Sequence, residues 1–120
     1  MGKGVHVAKK FEVEYGNTEA FNWCDDKFYE LLQTLGAEPN NVGAPDDSLA
    51  DVFECPVNDY DDALRNLACY IADPTLFEDS DTLKEQLDEL NVTADWLLQT
   101  MKSYREEADT HDGWLHFASF

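Results

Sequence analysis

The chain is short of positive charge. It holds only 8 Lys and Arg against 26 Asp and Glu, a formal net charge of −18 over 120 residues. Three of the eight, Lys3, Lys9 and Lys10, fall in the first ten positions, so residues 11–120 carry five basic and 26 acidic groups, a balance of −21. Such a chain is repelled by phosphate backbones and anionic lipid surfaces, which argues against direct nucleic-acid contact and against membrane binding. No apolar run approaches the ~18 residues of a membrane span. The opening stretch, MGKGVHVAKKFEVEYG, alternates charged and apolar side chains and lacks the apolar core of a signal peptide. The expected compartment is therefore the cytoplasm. Cysteine is scarce as well: Cys24, Cys55 and Cys69 are an odd number at spacings of 31 and 14, with no CxxC pair. Such a set suits reduced thiols better than a disulfide framework.

Motifs that organise chemistry are also missing. His6, His111, His116 and the three Cys offer no pair at the short spacing of a zinc knuckle. Asp79-Ser80-Asp81 starts like a calcium loop, but Leu83 occupies the next ligand position and the required Gly is absent. There is no GxSxG elbow, no Gly-rich phosphate loop and no HExxH helix. No metal site, cofactor or catalytic residue is assigned, and a non-enzymatic role is favoured. Asn91-Val92-Thr93 matches a glycosylation sequon, although Thr93 is better explained as a helix cap.

What the chain does have is core material: 43% hydrophobic residues, including seven Phe, five Tyr and three Trp. At this length it reads as a single domain spanning residues 1–120. Residues 5–15 alternate with period two, which predicts a strand with Val5, Val7, Phe11, Val13 and Tyr15 on one face. From Phe21 the apolar period becomes helical (Phe21, Cys24, Phe28, Leu31, Leu32, Leu35), with Asn17 or Thr18 as the cap and Gly36 as the stop. Residues 37–51 carry loop chemistry, and Val52–Val57 reads as an edge strand or extended arm because Pro56 lacks a donor. Asn58 then caps a helix with stripe Tyr60, Leu64, Leu67 and Ile71, which Asp73-Pro74 ends. A third helix starts near Asp79 or Ser80 and turns Leu83, Leu87 and Leu90 inward. A fourth starts at Thr93 with Val92 and Leu97 as its hydrophobic staple, and the aromatic tail 114–120 forms a strand. The expected fold is α+β: a small domain of about four helices on a short antiparallel sheet that pairs the N- and C-terminal strands.

The segment Leu83–Tyr104, with LKEQLDEL, an Asn-Val-Thr turn and ADWLLQTMKSY, resembles the helix-turn-helix of DNA-binding proteins over about a fifth of the chain. The resemblance implies a regulatory domain whose second helix reads base edges, and that helix must then be basic. Here it offers Lys102 and Arg105 against Asp95, Glu106 and Glu107, which fits a helical hairpin closing the core instead. A second alternative is a small enzyme or ligand-binding domain built on His116 and a cysteine.

The sharpest pattern is acidic. Asp81, Glu85 and Glu89 repeat at i, i+4 and i+8 on the third helix, with Asp88 beside them and the Leu residues on the other face. Like charges at this spacing cost a few tenths of a kcal/mol per pair. Together with Asp59, Asp61 and Asp62, these are the candidate partner-binding residues. In composition the chain resembles small acidic proteins that inhibit nucleic-acid enzymes by charge mimicry. The expected function is an interaction module, with a basic protein surface as its partner.

Overall fold

In the computed structural model the chain runs β1 (Val5–Lys10), β2 (Glu14–Tyr15), α1 (Asp25–Thr34), β3 (Asn40–Asn41), β4 (Phe53–Pro56), α2 (Val57–Ala72), a 3-10 turn (Pro74–Leu76), α3 (Ser80–Leu90), α4 (Ala94–Glu107) and β5 (Trp114–Ser119). The residues described are 5–10, 14–15, 20–21, 25–41, 53–108, 110 and 112–119. The sheet is antiparallel with strand order β2-β1-β5-β4-β3, so the C-terminal strand lies at its centre. The terminal strands pair, with Val5 opposite Ser119, His6 opposite Ala118 and Val7 opposite Phe117. The fold is α+β, with four α-helices against the sheet.

Strand alternation sorts the two faces. Val5, Val7, Phe53, Cys55, Leu115 and Phe117 are all buried and share the helical side. His6, Glu54 and His116 fall on the other side. Because Leu115, His116 and Phe117 are buried in succession, β5 is buried on both faces there. Phe28 of α1 sits amid the aromatic core: it stacks on Phe21 at 4.5 Å and meets Phe117, Tyr104 and Phe53 at 5.3, 5.5 and 5.8 Å. Phe53 and Phe117, paired across β4 and β5, stack at 4.9 Å.

Four expectations are corrected. The period-two run is not one strand: β1 and β2 are separate and pair with each other, Ala8 opposite Tyr15 and Lys10 opposite Glu14, with an irregularity between. Alternation reports extended backbone and is blind to a reversal within it. The first helix does not begin at Phe21, whose φ of +57° is left-handed and non-helical. That conformation costs roughly 1–2 kcal/mol, which the burial of its ring against Phe28 and Trp96 offsets. The proposed caps Asn17 and Thr18 lie outside the described residues, as do Phe11, Val13, Cys24, residues 42–52 of the loop and the following segment, and Phe120. Strand β4 is not an edge strand. β3 covers Phe53 and Glu54 only, so Pro56 stands past the end of β3 and its missing donor disturbs no pair there. Finally, α2 starts at Val57, not after an Asn58 cap; Val57 N–H donates to the Gly113 carbonyl at 2.9 Å, so the start of α2 is fixed by the turn that leads into β5.

The other helix ends follow their sequence signals. Gly36 has φ +96°, with Ala37 N–H donating to Leu32 O at 2.9 Å and Gly36 N–H to Gln33 O at 3.0 Å. This is the left-handed closure that favours glycine. A Cβ there would stand 3.2 Å from Nδ2 of Asn66, which donates to Leu35 O at 2.7 Å. Asp73 ends α2 and accepts from Thr75 in the 3-10 turn. Asn91, at φ +56°, ends α3, and the Thr93 hydroxyl accepts from Trp96 N–H at 3.0 Å to start α4. Leu83, Leu87, Leu97, Met101 and Tyr104 are buried as expected. Helix α3 packs on α1, and α4 packs on α2 and β1.

Candidate functional site

The inward Leu83 and Leu87 fix the orientation of α3 and so place its carboxylates in solvent: Asp81, Glu85, Asp88 and Glu89 are all exposed. Glu89 is the C-terminal member of the group. Its Oε2 lies 3.4 Å from Nζ of Lys27 on α1, and Lys27 also faces Glu30 at 3.9 Å. These carboxylates raise the Lys27 ammonium above its ordinary value, Glu30 contributing most. Asp81, Glu85 and Asp88 have no ion-pair partner among the described residues. Their steps of four and three residues set them along about 10 Å of helix axis.

The three candidates on α2 are in a different situation. Asp61 holds Nε of Arg105 at 2.9 Å and ties α2 to α4, Asp62 pairs with Arg65 on its own helix, and Asp59 accepts from Glu38 N–H at 3.1 Å. They serve bonds within the fold, and they stand on a different helix pair from the α3 group. All seven residues were candidates from the sequence, Asp81, Glu85 and Glu89 by their helical period. Local pattern could not separate the neutralised from the unneutralised, because Lys27–Glu89 and Asp61–Arg105 join positions 62 and 44 residues apart.

The Cys/His alternative meets a geometric obstacle. Cys55 and His116 are on adjacent strands, but Cys55 is the partner of Leu115 and faces the helices, while His116 is the partner of Glu54 on the opposite side. Burial, with a smaller contribution from Asp59, pushes the Cys55 thiol up to about 12, far from a thiolate nucleophile. Cys69 is exposed on α2; the buried positions of that helix are Tyr60, Ala63 and Leu67. Cys24 and His111 lie outside the described residues. Among the described residues no group of three or more His, Cys, Asp or Glu is placed to hold a metal ion. His116 does have carboxylate neighbours that its sequence position did not reveal: Asp112 at 2.8 Å and Glu54 at 3.5 Å. Asp112 had signalled only a turn, and the β4–β5 register that brings Glu54 opposite is not written in local sequence.

The helix-turn-helix resemblance finds two consecutive helices, α3 and α4, joined by Asn91-Val92-Thr93. The second turns Leu97, Thr100, Met101 and Tyr104 into the core. Its exposed positions are Asp95, Trp96, Gln99, Lys102 and Glu106, while Arg105 is engaged by Asp61. Among the described residues, one lysine without an ion-pair partner beside two carboxylates is not a basic reading face.

No protein-family model, curated protein or solved structure matches the chain. The site therefore stands on its own chemistry. Among the described residues no helix is long and apolar enough to cross a membrane.

Proposed function

We propose that this chain is a non-enzymatic interaction protein that engages a basic protein surface through the exposed carboxylates of α3, in its most specific form an inhibitor of a nucleic-acid-handling protein by charge mimicry. The observation that carries the proposal is the set Asp81, Glu85 and Asp88, exposed on a helix anchored by Leu83 and Leu87 and unneutralised among the described residues. The surrounding stretch 73–95 holds eight Asp and Glu against Lys84 alone. Grouping like charges opposes helix formation slightly, and a cationic partner relieves that opposition. Because α3 is fixed by its buried face, the charges are presented in a defined spacing at little cost in ordering on binding. Two large apolar side chains remain exposed on either side of α3 in the chain, Leu76 at 75% and Trp96 at 39%. Side chains of this kind supply the apolar part of protein interfaces.

The chain immobilised at low salt should retain a partner from a lysate of its source cells, and the purified pair should then be titrated against salt. Screening contracts from about 10 Å at 0.1 M to about 3 Å at 1 M, so affinity and association rate should fall together. A purified partner whose binding is insensitive to salt would refute the proposal.

A further inference from the structure

His116 is only 6% exposed, yet both of its ring nitrogens face carboxylate oxygens. Nε2 lies 2.8 Å from Oδ2 of Asp112, within hydrogen-bond distance. Nδ1 lies 3.5 Å from Oε2 of Glu54, longer than a good hydrogen bond but close enough for strong Coulombic interaction in a buried setting. The Asp112 carboxylate is itself oriented, because its other oxygen accepts from Trp114 N–H at 3.1 Å. Glu54 is the cross-strand partner of His116. Beside them, Val57 N–H donates to Gly113 O at 2.9 Å. Three pieces of the chain thus meet around one imidazole, the turn at Asp112-Gly113, β5 and β4, and the backbone of the turn is tied in addition to the start of α2. On the other side of β5, His6 of β1 lies on the same sheet face, opposite Ala118 and diagonal to His116. Glu54, Asp112 and His6 are the titratable groups that the described strands and turn bring to this side of His116.

We infer that His116 is held as an imidazolium, and that its second proton acts as a pH-sensitive latch fastening the central strand β5 to β4 and to the turn that precedes it. A neutral ring has one donor and one acceptor nitrogen. Whichever nitrogen gave up its proton, a lone pair would then face an anionic oxygen, either that of Asp112 at 2.8 Å or that of Glu54 at 3.5 Å. The doubly protonated ring turns both encounters into attractions and neutralises one of the two partly exposed negative charges that face it. Removing the ring from water opposes this, but two carboxylates within about 4 Å outweigh it. The stabilisation is present while the ring keeps both protons and is lost as rising pH removes the second; linkage gives it that sign, since the folded chain then binds the proton more tightly than the unfolded one.

The test is a pH titration of the full chain, with the His116 ring nitrogens followed by nitrogen NMR, in the wild type and in the Glu54→Gln and Asp112→Asn variants. The amide oxygen of Asn still accepts from Trp114 N–H, so the second variant removes charge while keeping the turn. Both nitrogens should be protonated at about pH 7, and each variant should lower the titration midpoint by about one pH unit. A His116 ring that is neutral at about pH 7 in the wild type would overturn the inference even if neither variant folds. A midpoint unmoved in the folded variants would overturn it as well.

Discussion

The Tyr104 hydroxyl on α4 donates to the Val5 carbonyl on β1 at 2.7 Å, a buried hydrogen bond between residues 99 positions apart. It fixes the last helix over the first strand, and through that strand over β5. Replacing Tyr104 with Phe keeps the ring against Phe28 and Phe117 and removes only the hydroxyl. The expected cost is about 1–2 kcal/mol, measured as a fall in urea midpoint with an unchanged m-value.

Tyr60 makes the equivalent bond to the Met101 carbonyl at 2.7 Å and is fully buried. Burial, with smaller contributions from Tyr104 and Cys55, raises its phenol well above the ordinary value. The folded chain therefore keeps a proton that the unfolded chain releases near pH 10. Stability should hold through about pH 9 and fall as the pH rises beyond roughly 10. Ultraviolet titration should show Tyr60 ionising only with unfolding, and a phenol that titrates in the folded state would contradict its placement.

The described thiols should differ sharply in reactivity. With its thiol raised to about 12 and its side chain buried, Cys55 should resist iodoacetamide at about pH 8 until the chain unfolds, whereas exposed Cys69 should react. Peptide mass mapping after brief labelling distinguishes them. Intact mass under oxidant-free conditions should show no bond between these two.

Phe117 stacks on Phe53 and meets Phe28, Tyr104 and Tyr60 with ring centroids at 5.3, 5.5 and 6.0 Å. Phe117→Ala should cost about 3–5 kcal/mol. Removing residues 114–120 should abolish cooperative unfolding, because β5 is the strand that joins the two halves of the sheet. A truncated chain that melts at the wild-type temperature would contradict the topology.

Elements governed by local rules were legible in the sequence: Gly36 as a left-handed stop, Asp73-Pro74 as a helix end, and Thr93 with Val92 and Leu97 as a helix start. Pairing of the terminal strands followed from their being the best strand candidates in the chain. What local pattern could not convey was set by distant partners. Phe21 leaves the helical region because Phe28 and Trp96 accept its ring, and Val57 starts α2 through a bond to Gly113. The candidate acidic residues were all visible in the sequence, three of them by helical period, yet Lys27, Arg65 and Arg105 decide which of them stay unneutralised. Of the surroundings of His116, the register with Glu54 was invisible.

The central claim is that the α3 carboxylates, rather than net charge alone, contact a basic partner. Two triple variants separate these: Asp81→Asn with Glu85→Gln and Asp88→Asn, and a control with Asp26→Asn, Glu38→Gln and Glu106→Gln, each removing three exposed charges. At about 0.5 kcal/mol per exposed ion pair, loss of the α3 set should weaken partner binding about tenfold at low salt, with the fold intact and the salt dependence flattened. The control should bind within about twofold of the wild type. Equal weakening by both variants, or full affinity in the α3 variant, would contradict the account.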